Sequence, residues 1–259
     1  MRFIDCGVVG STFDVAREIA KANDFGPLWV RADAQTSGRG RRGRTWQSPE
    51  GNLFCTGLYP HAMTPADVGR LSFVASLAVF DLMKTFIEDD IVTLKWPNDV
   101  LIDGAKAAGI LLENGHTKGQ SWVMVGIGIN LLSHPSGLDY PATSVLAHMR
   151  ADSLTAAEPT MTGPQAALVI LSQRFDHWFN LYTAHGFAPI REAWRARAPG
   201  VPGPVRVRLS KESFTGQAVD LGGEGELQVR LPNGTIRDVH AGDVFFGRTD
   251  NGEHDASGD

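Results

Sequence analysis

The chain has 259 residues, which exceeds one average domain and suggests a large domain with a small appendage. Hydrophobic residues make up 42% and charged residues 20%, as in a soluble globular protein rather than a disordered, fibrous or disulfide-rich one. The net charge of −5 argues against a general nucleic-acid-binding protein, whose surface has to attract phosphates over a whole face. Four arginines nevertheless lie close together, at positions 39, 41, 42 and 44.

The two cysteines and the N-terminus indicate where the chain resides. Cys6 and Cys55 cannot build a disulfide framework and lack the spacing of a zinc site, so we expect unpaired thiols in a reducing compartment, the cytoplasm. The N-terminus has no basic segment followed by an apolar one, and the most apolar stretch, residues 71–83, is interrupted by polar residues. We therefore expect neither secretion nor a membrane span.

Residues 1–198 are predicted to mix helices and strands. Ser11 or Thr12 can cap a helix that stops near Asn23. Apolar residues at three- and four-residue spacing predict further helices over 66–88, 165–183 and 190–197. Strands are expected over 28–32, 52–59, 91–95, 100–102, 108–113 and 122–129, and a long polar loop over 35–51.

A run of prolines and glycines over residues 199–204 predicts a domain boundary, because it suits neither a helix nor a central strand. Turn signals then separate five short strands, at 205–209, 213–219, 226–231, 235–239 and 244–247. This pattern suggests a small SH3-like β-barrel. We therefore expect a catalytic domain over 1–198, a barrel over 199–248 and a disordered acidic tail over 249–259.

The clustered arginines alternate with glycine over residues 38–44. Glycine lets the backbone approach an anion, and a guanidinium can bind phosphate or carboxylate oxygens with two hydrogen bonds. A polyphosphate or a carboxylate is therefore the expected ligand. The alternatives are a solvated basic loop and an RNA-binding or nuclear-import-like cluster. It is not a Walker A loop, which requires a lysine that this segment lacks.

Two lysines stand at predicted strand ends. Residues 95–99, Lys-Trp-Pro-Asn-Asp, follow a strand, and the proline restricts Trp96 to an extended conformation. A structural turn would explain this motif equally well. Lys106 is either a solvated charge at a strand edge or, if it faces the arginine segment, a cation that stabilises charge on a phosphorus centre under attack.

Residues 125–130, Val-Gly-Ile-Gly-Ile-Asn, predict a strand with glycines on one face and isoleucines on the other. The bare face suits a flat ligand or a close strand-to-helix crossing. The segment lacks the glycine pattern of a dinucleotide-binding turn. His61, His116, His134 and His148 are scattered, so we expect no metal-binding residues.

In order and spacing, these motifs together resemble the biotin protein ligase family, also called biotin–[acetyl-CoA-carboxylase] ligases. The resemblance reaches to about residue 247 and rests on Ser11 and Thr12, on Gln35 with residues 38–46, on residues 95–99, on Lys106 with Gly109 and Ile110, and on residues 126–130. It implies a mixed α/β sheet flanked by helices, related to class II aminoacyl-tRNA synthetases, with a C-terminal SH3-like β-barrel.

The resemblance also implies a two-step reaction that consumes ATP. Biotin would attack the α-phosphate to give biotinyl-5′-AMP and pyrophosphate, and a carrier-domain lysine would then attack the mixed anhydride. Mg²⁺ is expected with ATP, because it neutralises the leaving pyrophosphate. The implied biotin contacts are Ser11, Thr12, Gln35, Gly38, Arg39, Gly109, Gly126 and Gly128. The implied nucleotide contacts are Arg41, Arg42, Arg44, Trp46, Lys95, Asn98, Lys106 and Asn130. Lys106 and Arg41 would be catalytic, and Asp99 and Arg248 would be further site residues.

Two features depart from the family pattern. Phe13 stands where the family commonly has asparagine, and only ten residues precede Ser11, so we expect no winged-helix repressor domain and no operator binding. The implied partner is a biotin carboxyl carrier protein or domain, with no nucleic acid and no membrane, and the chain is expected to be a monomer or weak homodimer. The alternatives are a lipoate or octanoate ligase on the related fold, an RNA-binding protein, and a non-catalytic biotin-binding module.

Overall fold

The computed structural model describes residues 1–87, 91–149 and 163–247. Within these ranges the helices are α1 (Thr12–Lys21), α2 (Pro65–Met83), α3 (Pro164–His185) and α4 (Phe187–Arg195). The strands of the first part are β1 (Arg2–Asp5), β2 (Val8–Val9), β3 (Leu28–Ala32), β4 (Ala34–Gln35), β5 (Leu53–His61), β6 (Val92–Lys95), β7 (Asp99–Ile102), β8 (Ala105–Thr117) and β9 (Gln120–Ile129). Those of the second part are β10 (Gly203–Arg208), β11 (Ser213–Leu221), β12 (Leu227–Arg230), β13 (Ile236–Val239) and β14 (Asp243–Phe246).

A seven-stranded mixed sheet organises the first part, in the order β1-β3-β5-β9-β8-β7-β6. Strands β1 and β3 run parallel, whereas the other neighbours in this sheet are antiparallel. The predicted mixed sheet flanked by helices is confirmed. Strand β1 and the short parallel pair of β2 and β4 were not among the predicted strands.

The two faces of the sheet carry different helices because side chains alternate along each strand. Leu28 and Val30 point to one face, where they pack against Phe13 and other residues of α1. Trp29 points to the other face, where its ring lies 5.5 Å from that of Phe175 in α3. Helix α1 covers only part of its face of the sheet. Another part, at Gly109 and Gly128, is covered by Trp46.

Two helix boundaries differ from the predicted ones by three residues or more. Helix α2 ends at Met83, not at residue 88, because the chain tightens into a turn in which the Thr85 hydroxyl donates to the Leu82 carbonyl at 2.6 Å. Helix α4 begins at Phe187, immediately after α3, because Gly186 interrupts the helical backbone with a φ of 73°. Apolar periodicity marks the buried stripe of a helix but not the residue at which the helix ends.

The chain divides into two compact units, Met1–Ala198 and the residues from Pro199 onward. The second unit is an antiparallel sheet in the order β13-β12-β11-β10-β14, with Val205, Val207, Ala218 and Val229 buried in its interior. This arrangement fits the predicted SH3-like fold. Arg248 and the predicted tail over 249–259 lie outside the described residues. Among the helices described, none is long and apolar enough to cross a membrane.

Candidate functional site

The arginine-rich segment folds back on itself as a hairpin, residues 38–46, which we call the arginine hairpin. The Trp46 amide donates to the Gly38 carbonyl at 2.9 Å, and the Gly40 amide donates to the Arg44 carbonyl at 2.7 Å. Its tip, Arg41–Gly43, is a single turn of 3₁₀ helix. A Cβ at Gly38 would lie 2.3 Å from the Trp46 carbonyl oxygen, so the closure of the hairpin requires glycine there.

Three glycines of β8 and β9, Gly109, Gly126 and Gly128, form a bare patch that we call the glycine floor. Gly109 and Gly128 are direct partners across the two strands. A Cβ at Gly128 would lie 2.5 Å from the Trp46 indole, and a Cβ at Gly126 would lie 2.1 Å from the Phe13 ring. Two aromatic rings therefore lie on backbone that no larger residue could provide.

Three predicted site residues have a buried side-chain atom without a hydrogen-bond partner: Asp99, whose Oδ1 has an ion-pair partner in Lys106, and Trp46 and Asn130, whose Nε1 and Oδ1 have no such ion pair. Asn130 is 2% exposed, and its Nδ2 donates to the Thr143 carbonyl at 3.0 Å, which fixes the orientation of the amide. A buried polar group without a partner costs free energy, so such a group in a folded protein requires an explanation. A bound ligand with one acceptor and one donor would satisfy Nε1 of Trp46 and Oδ1 of Asn130.

Lys106 lies beside the glycine floor and under the arginine hairpin. Its Nζ is 2.6 Å from Oδ1 of Asp99, and it lies 5.5 Å from the Trp46 ring centroid and 5.4 Å from that of Tyr140. The backbone of Lys106 is held by hydrogen bonds with Pro141 and Thr143. Lys106 therefore lies against Trp46 of the arginine hairpin and, with a side chain only 18% exposed, does not extend into solvent from a strand edge. Sequence reasoning did not identify Tyr140, because it lies in an irregular segment without a motif.

Asn98 connects the β6–β7 turn to the arginine hairpin. Its Oδ1 accepts from Arg41 at 3.1 Å, and its Nδ2 donates to the Ile110 carbonyl of β8 at 2.7 Å. Lys95 opens the same turn, paired in register with Asp99. The motif at 95–99 is thus a turn whose side chains reach the neighbouring elements of the site.

Ser11, Thr12 and Gln35 meet at the start of α1. The Ser11 hydroxyl caps the helix by accepting from the Phe13 amide. Oε1 of Gln35 accepts from the Thr12 amide at 2.9 Å, and its Nε2 donates to the Ser48 hydroxyl at 3.0 Å. Thr12 and the half-buried Gln35 thus form one polar cluster next to the glycine floor, since Thr12 also bonds Thr56, the cross-strand partner of Gly126.

The four arginines of the hairpin have different surroundings. The Arg39 guanidinium contacts Asp14 at 2.5 Å and Glu113 at 3.9 Å. Arg41 is half-buried against Asn98, whereas Arg42 and Arg44 are exposed. Within the described residues, no group of three or more histidine, cysteine, aspartate or glutamate side chains could hold a metal ion.

Comparisons with known proteins match both units. The biotin/lipoate A/B protein ligase family matches residues 10–130, and the biotin protein ligase C-terminal domain matches residues 204–247. A biotin–[acetyl-CoA-carboxylase] ligase of Paracoccus denitrificans is 36% identical over 86% of this chain and 91% of its own length. One of Mycobacterium tuberculosis is 32% identical over 91% of this chain and 85% of its own length.

Solved structures agree on the fold. The biotin protein ligase of Aquifex aeolicus in complex with biotin and ATP superposes with a TM-score of 0.75 at 23% identity, over 95% of this chain and 99% of the other. Together with the sequence relatives, it accounts for the mixed sheet and for the C-terminal unit.

Proposed function

Because this chain belongs to the biotin protein ligase family, we propose that it uses ATP to convert biotin into biotinyl-5′-AMP and then transfers biotin to a lysine of a carrier domain. The observation that carries this proposal is the position of Lys106, under the arginine hairpin and beside the glycine floor. The relatives support the substrates: two are named biotin–[acetyl-CoA-carboxylase] ligase, and the Aquifex aeolicus structure contains biotin and ATP.

In the first step, a carboxylate oxygen of biotin attacks the α-phosphorus of ATP, and the bond from that phosphorus to pyrophosphate breaks. Negative charge builds up on the oxygens around phosphorus. Lys106, oriented by Asp99, supplies a fixed positive charge there, and Arg41, oriented by Asn98, supplies a second. Charges already in place before the reaction stabilise the transition state without the cost of reorganisation.

Biotin would lie on the glycine floor once the Trp46 ring, which covers Gly128 in this structure, has moved aside with the hairpin, and Ser11, Thr12 and Gln35 would be at its polar end. Thr12 and Gln35 bond each other, Thr12 also bonds Thr56, and Gln35 also bonds Ser48. They can exchange these partners for the polar atoms of a ring. Gly38 and Arg39 belong to the part of the hairpin that would cover the ligand.

The nucleotide would be held by the rest of the hairpin and by its surroundings. Trp46 offers a flat aromatic face and an unpartnered Nε1, and Asn130 offers an unpartnered Oδ1. The exposed Arg42 and Arg44 would approach phosphate oxygens, and Lys95 borders the same turn as Asn98. Mg²⁺ would arrive bound to the ATP phosphates and neutralise the pyrophosphate.

In the second step, the neutral ε-amino group of a carrier lysine attacks the acyl carbon of biotinyl-5′-AMP. AMP leaves with the electrons of the broken carbon–oxygen bond, and the nitrogen loses a proton as the amide forms. The carrier would be a biotin carboxyl carrier protein or domain, as the name of the relatives suggests. We place both steps in residues 1–198.

The test incubates the purified chain with biotin, ATP and Mg²⁺ and follows biotinyl-5′-AMP and pyrophosphate by mass spectrometry and a coupled assay. A second reaction adds an apo-carrier domain, with the acceptor lysine replaced by arginine as the matched control. We expect the adenylate in the first reaction and a biotin adduct only on the unchanged carrier. Absence of both products would refute the proposal.

The family that matches residues 10–130 also includes lipoate ligases, so lipoate is the competitor to test. We expect excess biotin, but not excess lipoate, to displace labelled biotin. RNA binding is a weaker candidate, because Arg39 contacts two carboxylates and Arg41 is half-buried against Asn98. RNA binding would weaken steeply with salt and would not respond to biotin.

A further inference from the structure

We propose that Asp14 and Glu113 are positioning residues that hold the arginine hairpin closed over the glycine floor through Arg39. This inference rests on the proposed function in one respect, namely that the floor under the hairpin is where biotin is activated. It assigns a role to two acids outside the motifs of the sequence, and it changes the role of Arg39 from an anion ligand to the anchor of the hairpin.

The observation is a closed ring of four alternating charges. Arg39 contacts Asp14 at 2.5 Å and Glu113 at 3.9 Å. Arg17 contacts Asp14 at 2.8 Å and also pairs with Glu113. Each carboxylate thus faces two guanidiniums, and each guanidinium faces two carboxylates, so the charge of the ring sums to zero.

The ring joins three elements around the glycine floor. Asp14 lies in the first turn of α1, directly after Phe13, whose ring covers Gly126. Glu113 lies on β8, the strand that contributes Gly109. Arg39 lies at the start of the hairpin, and its guanidinium is 5.6 Å from the Phe13 ring centroid, so a cation–π contact reinforces the ion pairs.

The strength of the ion pairs in the ring depends on how far their side chains are buried. The exposed fraction of the side chain is 37% for Arg39, 53% for Asp14 and 29% for Glu113. A single exposed ion pair contributes little, but a network in which each charge has two partners keeps its geometry when one contact breaks. Ion pairs of this strength suit an arginine hairpin that has to open for each substrate and each product.

The alternative role for Arg39, direct binding of an anionic ligand, predicts the opposite outcome. Two carboxylates compete with any anion for the guanidinium. Removing one carboxylate would therefore strengthen anion binding if Arg39 were the ligand, and would weaken retention of biotin if Arg39 were the anchor. The sign of the change separates the two roles.

The test compares Asp14→Asn, Glu113→Gln and the double variant with the unchanged chain. Glu18→Gln is the matched control, because Glu18 lies on the same helix and pairs with the exposed Lys21. The first measurement is the rate of tryptic cleavage after Arg41, Arg42 and Arg44 in the absence of any substrate. We expect cleavage to be about 3- to 10-fold faster in the double variant and unchanged in the control.

The second measurement is the rate of biotin dissociation, together with kcat and KM for adenylation. We expect dissociation to accelerate and KM for biotin to rise by about the same 3- to 10-fold, with little change in kcat, because the reacting groups are untouched. Asp14→Glu should restore most of the retention. Thermal unfolding curves verify that each variant is folded.

Unchanged tryptic cleavage in the folded double variant, or tighter biotin binding, would overturn the proposal. The proteolysis requires no biotin and no ATP, so it decides whether the hairpin is anchored even if the chain fails to adenylate biotin. Failure of the proposed function and failure of the anchor are therefore separate results.

Discussion

Nζ of Lys106 lies 2.6 Å from Oδ1 of Asp99, and each side chain is only 18% exposed. The rings of Trp46 and Tyr140 lie within 5.5 Å of the same ammonium group. An ion pair with little access to water is costly to break, because removing one partner leaves a buried charge alone. The ammonium group is therefore held at one point beside the glycine floor, as its proposed role at a reacting phosphate requires.

We predict that Lys106→Ala lowers kcat for adenylation by about 100-fold or more, with a much smaller effect on the Kd of biotin. The reason is that the charge on phosphorus exists only in the transition state, so its stabiliser contributes little to ground-state binding. Pyrophosphate release and biotin titration measure the two quantities. The exposed Lys211→Ala in the second unit is the control. A loss of biotin affinity as large as the loss of rate would contradict this role.

We predict that Gly128→Ala destabilises the fold and impairs the site. The new Cβ would lie 2.5 Å from the Trp46 indole, so the ring has to move off the floor. Overpacking of this kind typically costs about 1–3 kcal/mol. Gly69→Ala in α2 is the matched control: no heavy atom lies within 4 Å of its added Cβ, and alanine in a helix should stabilise the fold by about 0.5–1 kcal/mol. Urea unfolding of both variants would show opposite signs if the geometry is right.

We predict that Phe13→Ala lowers the free energy of unfolding by about 3–5 kcal/mol. Phe13 is 4% exposed and packs with α1, β3, β5 and β9, so its loss leaves a cavity in that cluster and uncovers Gly126. Phe3→Ala on β1, where the side chain is 39% exposed, should cost much less. Equal losses in the two variants would mean that Phe13 is not a core residue.

Asp176 provides a prediction on pH. Burial raises the pKa of this carboxyl, which accepts a hydrogen bond from the Tyr59 hydroxyl at 3.0 Å. A raised pKa means that the folded state binds the proton more tightly than the unfolded state, so ionised Asp176 destabilises the fold at neutral pH. Asp176→Asn keeps an acceptor for Tyr59 and removes the charge.

We therefore expect Asp176→Asn to raise the Tm slightly at pH 7, by at most about 2 °C, because the carboxyl keeps part of its solvent contact. The difference should disappear as the pH falls below about 3.9, where the wild-type carboxyl is protonated in both states. Thermal melts at several pH values measure this, with the exposed Asp139→Asn as the control. A Tm difference that grows at low pH would contradict the sign.

Sequence patterns predicted more of the fold than of the site. Apolar spacing located the four described helices and most strands of the large sheet, since burial of one face imposes its period on the residues. Strand β1 was missed because four residues are too few to show a period, and its position depends on pairing with β3. The predicted end of α2 was wrong, because a turn held by Thr85 replaces the last predicted turn of the helix.

The residues alone predicted the class of ligand: arginines among glycines indicate a segment that binds phosphate or carboxylate, with Lys106 and the glycine face as further candidates for the same site. Folding decides which groups act together, because contacts across strands and helices have no fixed spacing in sequence. Asp99 is only seven residues from its partner Lys106 in the sequence. Asp14 and Glu113, by contrast, are far from Arg39 in the sequence and contact it only in the folded chain. The neutral charge of that ring, and the closure of the hairpin by it, could be recognised only in the folded chain.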